Sequence, residues 1–138
     1  EVLLVVTPEP TSITDAYSLL KAVNRKKEFD REQKSIKVVT NRVSNEDEGL
    51  EIFEKISIVV SKFLNIHLDY LGYIPQNKGM SSSVLEQKPV LLREPDGEPA
   101  YQIRKMCNKL LDIAEEKKPR SGIAKVLLSF IKTKKNNG

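Results

Sequence analysis

The run Val2-Leu3-Leu4-Val5-Val6 is apolar at every position and rich in β-branched valine, the pattern of a strand buried on both faces. Strands of this kind lie inside parallel sheets, where connecting helices cover both sides. The run follows Glu1 at once, with no signal-peptide n-region before it. It is a poor way to begin a free-standing domain, so the chain is expected to be the carboxyl-terminal part of a longer protein.

Short apolar runs and helical periodicity alternate from there, which predicts βαβ units and an α/β fold with a mostly parallel sheet flanked by helices. The first helix is expected to begin at Ser12, with Asp15 completing a capping box, and to turn Ile13, Ala16, Tyr17, Leu20 and Val23 to one side. Residues Asn24 to Lys34 are polar or charged apart from Phe29 and read as a fraying end and a solvated loop. A second strand at Ile36–Thr40 ends in Asn41-Arg42, and Ser44 with Asp47 repeats the capping signal. The next helix carries Leu50, Phe53, Ile56, Val60, Phe63 and Leu64 as its core stripe, widened by Ile52, Ile58 and Val59. A third strand at His67–Ile74 sets Leu68, Tyr70, Gly72 and Ile74 on one side and stops at Pro75.

Further on, a short helix is expected near Ser82–Gln87 and an extended piece at Lys88–Leu92, with Pro95, Gly97 and Pro99 as turn signals. Ile103, Met106, Cys107, Leu110, Leu111 and Ala114 line another helix that Pro119 ends, and a last amphipathic segment runs from Ser121 to about Lys132. No internal repeat or low-complexity tract interrupts this order.

The 138 residues suffice for one packed core. A single cysteine, Cys107, forms no internal disulfide, and a single histidine, His67, leaves no zinc or copper cluster. The apolar runs fall far short of the roughly 20 residues a membrane-crossing helix needs. The common catalytic signatures are missing as well: there is no G-x-x-x-x-G-K-[ST] loop, G-x-G-x-x-G turn, H-E-x-x-H or G-x-S-x-G elbow. His67 reads better as a structural or exposed histidine than as a base, and Cys107, on an apolar helix face, as a small inert hydrophobe.

Three loops remain, at Thr7–Thr11, Asn41–Ser44 and Pro75–Asn77, each at the carboxyl end of a strand. In open α/β sheets ligands sit outside those ends. An asparagine amide there offers a donor and an acceptor, which suits a purine edge, although turn chemistry alone also explains each loop.

At these loops the sequence resembles a known family. The runs V-V-T-P-E-P-T-S-I-T-D-A-Y at Val5–Tyr17, V-V-T-N-R-V at Val38–Val43, L-G-Y-I-P-Q-N at Leu71–Asn77 and Q-K-P-V at Gln87–Val90 are similar to the MinD/ParA-type ATPases, P-loop NTPases of the deviant Walker A kind. Within them the chain looks most like the flagellar site-determining branch, FlhG or YlxH, from Glu1 to about Leu111. The resemblance makes residues 1–118 the carboxyl-terminal portion of a MinD-like domain and residues 119–138 a basic amphipathic helix and tail.

What the resemblance implies is an ATP-dependent cycle, with Mg²⁺, between a membrane-associated homodimer and a cytoplasmic monomer, controlling the number and placement of flagella. By that likeness Asn41 reads adenine, Arg42 sits beside the base, and Pro75, Gln76 and Asn77 pack around it. Pro8 and Glu9 match a loop near the nucleotide at the dimer face, and Ser12 and Asp15 a helix used for dimer or partner contacts. The implied partners are a FlhF-type GTPase and flagellar switch or C-ring proteins. The family's phosphate loop and magnesium-binding aspartates have no counterpart in this sequence, so the chain alone is expected not to hydrolyse ATP. The competing reading is a non-enzymatic interaction module of the same fold that has lost the phosphate-binding half. A part-sheet would also leave apolar edges open to domain swapping or to an associated amino-terminal fragment.

In the last segment Ile123, Val126, Leu127, Phe130 and Ile131 gather on one helical side, while Lys125, Ser129 and Lys132 take the other. Such a helix can lie in an anionic membrane interface, at about 1 kcal/mol per lysine, and the family ends in a helix of this kind. That reading places the protein in the cytoplasm, peripheral to the inner face of the membrane. Packing on the domain body is the alternative. The +4 net charge does not argue for nucleic acid, because the lysines are scattered and no aromatic platform interleaves them.

Overall fold

The computed structural model describes residues 2–25 and 36–112. Over these the chain runs β1 (Val2–Val6), α1 (Pro10–Asn24), β2 (Ile36–Val43), α2 (Glu46–Leu64), β3 (Leu68–Pro75), α3 (Lys78–Leu85), α4 (Val90–Arg93) and α5 (Glu98–Leu110). The strands form a three-stranded parallel sheet in the order β1-β2-β3, flanked by helices, as in P-loop NTPase-like folds. All three carboxyl ends therefore open on the same side.

Helices α1 and α2 cover one face. Leu4 and Val6 from β1, Ile36, Val38 and Val43 from β2 and Leu68 from β3 meet Ala16 and Leu20 of α1 and Ile52, Ile56, Val60 and Leu64 of α2 in one buried cluster. At 25 cal/mol per Å² each of these larger aliphatic side chains contributes about 1.5–3 kcal/mol. On the opposite face Val39 and Leu71 pack beneath Met106, with Ile74 and Ile103 beside them, so α5 covers β3 and the middle of β2. It does not reach β1, where Leu3 and Val5 stay 54% and 52% exposed. The expectation of burial on both faces therefore fails for β1 among the described residues.

Local chemistry shifts several predicted boundaries. Helix α1 starts at Pro10, whose ring presets the helical φ, and Glu9 is its N-cap without a side-chain cap bond. Ser12 lies inside the first turn, and its Oγ accepts from the Thr7 backbone N–H at 3.0 Å, so the Ser12–Asp15 box does not form. For α2 the cap is Asn45 rather than Ser44: its Oδ1 accepts from Glu48 N at 2.9 Å, and the Glu48 carboxylate accepts from Ser44 N. The box moves by one residue because asparagine caps at least as well as serine.

The buried stripe of α2 is narrower than the apolar pattern predicts. Ile52, Ile56, Val60 and Leu64 are buried and Phe53 is partly so, whereas Leu50, Ile58, Val59 and Phe63 are exposed. Strand β3 extends through Pro75, and Leu71 has no partner between the pairs Val38–Tyr70 and Val39–Gly72. This bulge breaks the expected alternation. Tyr70 lies on the α2 side, its ring 5.1 Å from that of Phe53, while Leu71 and Ile74 pack toward α5.

The helix expected near Ser82 begins earlier, at Lys78, because Asn77 caps it through Gly79 N at 2.7 Å. Lys88–Leu92 is not extended: Val90–Arg93 makes one helical turn, held to α3 by the Arg93–Glu86 ion pair at 2.9 Å. Within α5, Pro99, Ala100, Gln102 and Met106 are buried, and Cys107 is exposed rather than on the packed face. Ala114, Pro119 and the segment Ser121–Lys132 lie outside the described residues.

Candidate functional site

The carboxyl ends of the three strands are tied to one another. Between the pairs Asn41–Ile74 and Val43–Pro75, Arg42 bulges from β2 with φ at 62°, in the left-handed region. Its guanidinium leaves the ladder and meets the Glu9 carboxylate, Nη1 to Oε1 at 3.1 Å, which joins the β2 loop to the β1 loop. On the other side the Gln76 backbone N–H donates to Val43 O at 2.8 Å, joining the β3 loop to β2.

Two clefts flank Arg42. The smaller, about 260 Å³, is lined by Asn41, Arg42, Pro75, Gln76 and Asn77 together with Met80, Ser81 and Val84 of α3. All five residues expected around a base therefore border one concavity. Pro75, Met80 and Val84 give it apolar walls, and the amides of Asn41, Gln76 and Asn77 supply donors and acceptors. The Asn77 Oδ1 is engaged by Gly79 N, so its –NH₂ is the end free to meet a ligand.

The larger cleft, about 540 Å³, lies along β1 and α1 and is lined by Thr7, Glu9, Thr11, Ser12, Asp15 and Arg42 above Leu4, Val5, Ala16 and Leu19. Glu9, Ser12 and Asp15 share this cleft, and Pro8 is not part of its lining. Hydrogen bonding from the Thr7 side chain, then from backbone N–H, with a smaller contribution from the Arg42 charge, holds the Glu9 carboxyl below the usual range. Glu9 is thus an anion at neutral pH.

Met80, Ser81 and Val84 were not singled out from sequence. The Asn77 capping signal, which puts the start of α3 at the cleft wall, would have found them. Membrane-contact candidates Ile123, Val126, Leu127, Phe130, Ile131 and Lys132 lie outside the described residues. Among the described residues no group of His, Cys, Asp and Glu is placed to hold a metal ion, and no helix is long and apolar enough to cross a membrane.

Over 110 residues the chain is 36% identical to the antiactivator FleN of Pseudomonas aeruginosa, a match covering 80% of the chain and 38% of FleN. Over 88 residues it is 28% identical to the flagellum site-determining protein YlxH of Helicobacter pylori, covering 63% of the chain and 28% of that protein. The chain belongs to the MinD/ParA-type flagellar site-determining family. It spans well under half the length of these MinD/ParA-type relatives. No family model matches it. The smaller cleft of this MinD/ParA-type chain lies outside the carboxyl ends of parallel strands, the usual place for a ligand in an open α/β sheet, while the larger one continues from Glu9 and Arg42 along β1 and α1.

Proposed function

We propose that the chain is the carboxyl-terminal portion of a MinD/FlhG-type ATPase that regulates the number and placement of flagella, and that it supplies the adenine-binding rim and a dimer or partner face. One observation carries the reading: Asn41, Arg42, Pro75, Gln76 and Asn77 line a single cleft with apolar walls and three side-chain amides. That donor set fits a purine base. Asn41 reads the base edge, Arg42 stands beside it, and Pro75 with Met80 and Val84 excludes water from its faces.

Beyond the base, the cleft offers a ligand one cation, Arg42, and the described residues supply neither a phosphate-cradling loop nor an acidic cluster for Mg²⁺. We assign the remaining phosphate and metal contacts to the parent ATPase, where ATP with Mg²⁺ would supply the phosphoryl-transfer chemistry; the role of this chain is to hold and orient the base. The homodimer, a FlhF-type GTPase, switch or C-ring proteins and an anionic membrane surface met through Ile123–Lys132 complete the proposed cycle.

Adenosine titrated into the ¹⁵N-labelled 138-residue chain tests the cleft. Amide shifts should concentrate at Asn41, Gln76, Asn77 and Met80, and Asn41→Ala should weaken binding by about tenfold, the loss of one good hydrogen-bonded contact. Shifts elsewhere, or none, would defeat the reading. In the organism that encodes the protein, deleting the gene should change flagellar number or position, and the Asn41→Ala allele should fail to restore it.

A further inference from the structure

Arg42 is the only cation among the described residues lining either cleft, and it lines both. Its partner in the structure is Glu9, at 3.1 Å across the boundary between them. The left-handed backbone at Arg42 and its place outside the β2–β3 ladder set the side chain on that boundary. The Glu9 side belongs to the larger cleft, which also carries Asp15. An anionic ligand entering the smaller cleft thus meets one guanidinium already neutralised from the other side.

Building on the reading of the smaller cleft as a purine nucleotide site, we propose that Glu9 is a positioning residue for Arg42, and that the Glu9 carboxylate and the nucleotide phosphate compete for its guanidinium. Without nucleotide, Glu9 holds Arg42 toward α1. Nucleotide phosphate draws the guanidinium away and leaves the Glu9 carboxylate unpaired at the larger cleft. Nucleotide binding and the charge of the α1 face are thereby coupled through one side chain.

The experiment compares adenosine and adenosine monophosphate on the full 138-residue chain, wild type and Glu9→Gln, by ¹⁵N amide shifts. Removing the competing carboxylate should tighten adenosine monophosphate binding about two- to fivefold, the range an exposed ion pair supports, and leave adenosine affinity unchanged. In the wild type, the monophosphate but not adenosine should also shift the amides of Thr7, Ser12 and Asp15, beyond the cleft that holds it. Equal changes for both ligands, or none, would overturn the proposal while leaving the base-binding reading intact. Absence of binding by either ligand to either protein would overturn both.

Discussion

The hydroxyls of Thr40 and Tyr70 lie 3.1 Å apart across the β2–β3 pair, beneath the point where Gly49 brings α2 onto the sheet. Thr40 is fully buried, and burial pushes the Tyr70 phenol up against the opposing effect of that bond. A buried polar pair of this kind costs little while both members are present and more when one is removed. Tyr70→Phe and Thr40→Val should each destabilise by about 1 kcal/mol, and the double variant should lose less than the sum. A urea-denaturation double-mutant cycle reads the coupling, and strict additivity would mean that the bond carries none.

Gly49 sits where a Cβ would stand 2.6 Å from both Thr40 Oγ1 and Tyr70 Oη and 3.2 Å from Tyr73 Cβ. Alanine would favour the helix by roughly 1 kcal/mol, but overpacking against a stiff β-branched threonine costs about 1–3 kcal/mol. Gly49→Ala should therefore lower the melting temperature despite its better helix propensity. A melt at or above the wild-type value would show that α2 rides outward at no cost.

The start of α2 gives a pH signature. Accepting first from the Ser44 backbone N–H and then from its hydroxyl holds the Glu48 carboxyl below its ordinary value. The folded state therefore binds this proton less readily than the unfolded chain does. The stabilisation is complete above the unfolded pKa of about 4.3 and fades as pH falls through the lower folded value. Glu48→Gln should flatten this part of the acid limb of a stability–pH curve and leave the neutral-to-basic limb unchanged. Asn45→Ala should cost about 1 kcal/mol at every pH, since its cap is uncharged.

On the far face, Met106 closes Val39 and Leu71 against solvent. Met106→Ala should destabilise by about 2–3 kcal/mol, near the low end for a buried methionine because one side of the cluster is thin. The variant's α5 amides should exchange faster than those of α2, whose core does not depend on Met106.

The parallel α/β arrangement was legible because apolar strand runs and amphipathic helix spacing both survive averaging over neighbours. Ala16, Leu20, Ile56 and Val60 are buried as the periodicity required. Features set by a single residue were not legible. Asn45 took the cap expected of Ser44, and Leu71 inserted itself into the expected alternation of β3, so Gly72 and Tyr70 fall on different sides. Leu3 and Val5 look identical in sequence to buried strand residues, yet α5 stops short of them. The loop residues Asn41, Pro75 and Asn77 could be named from sequence, whereas the third wall of their cleft, Met80 and Val84, depended on where α3 begins.

The two irregularities of the β2–β3 pair are opposite in sense. Leu71 adds a residue to β3, Arg42 adds one to β2, and the strands leave the sheet at Val43–Pro75 with the same offset at which they entered it at Ile36–Leu68. Each is absorbed where it occurs. Without Leu71 the pair Val38–Tyr70 would run straight into Val39–Gly72, and without Arg42 the pair Asn41–Ile74 would run straight into Val43–Pro75. A one-residue deletion at either position should therefore be tolerated independently of the other, and only the deletion at Arg42 should erase the side chain that stands between the clefts.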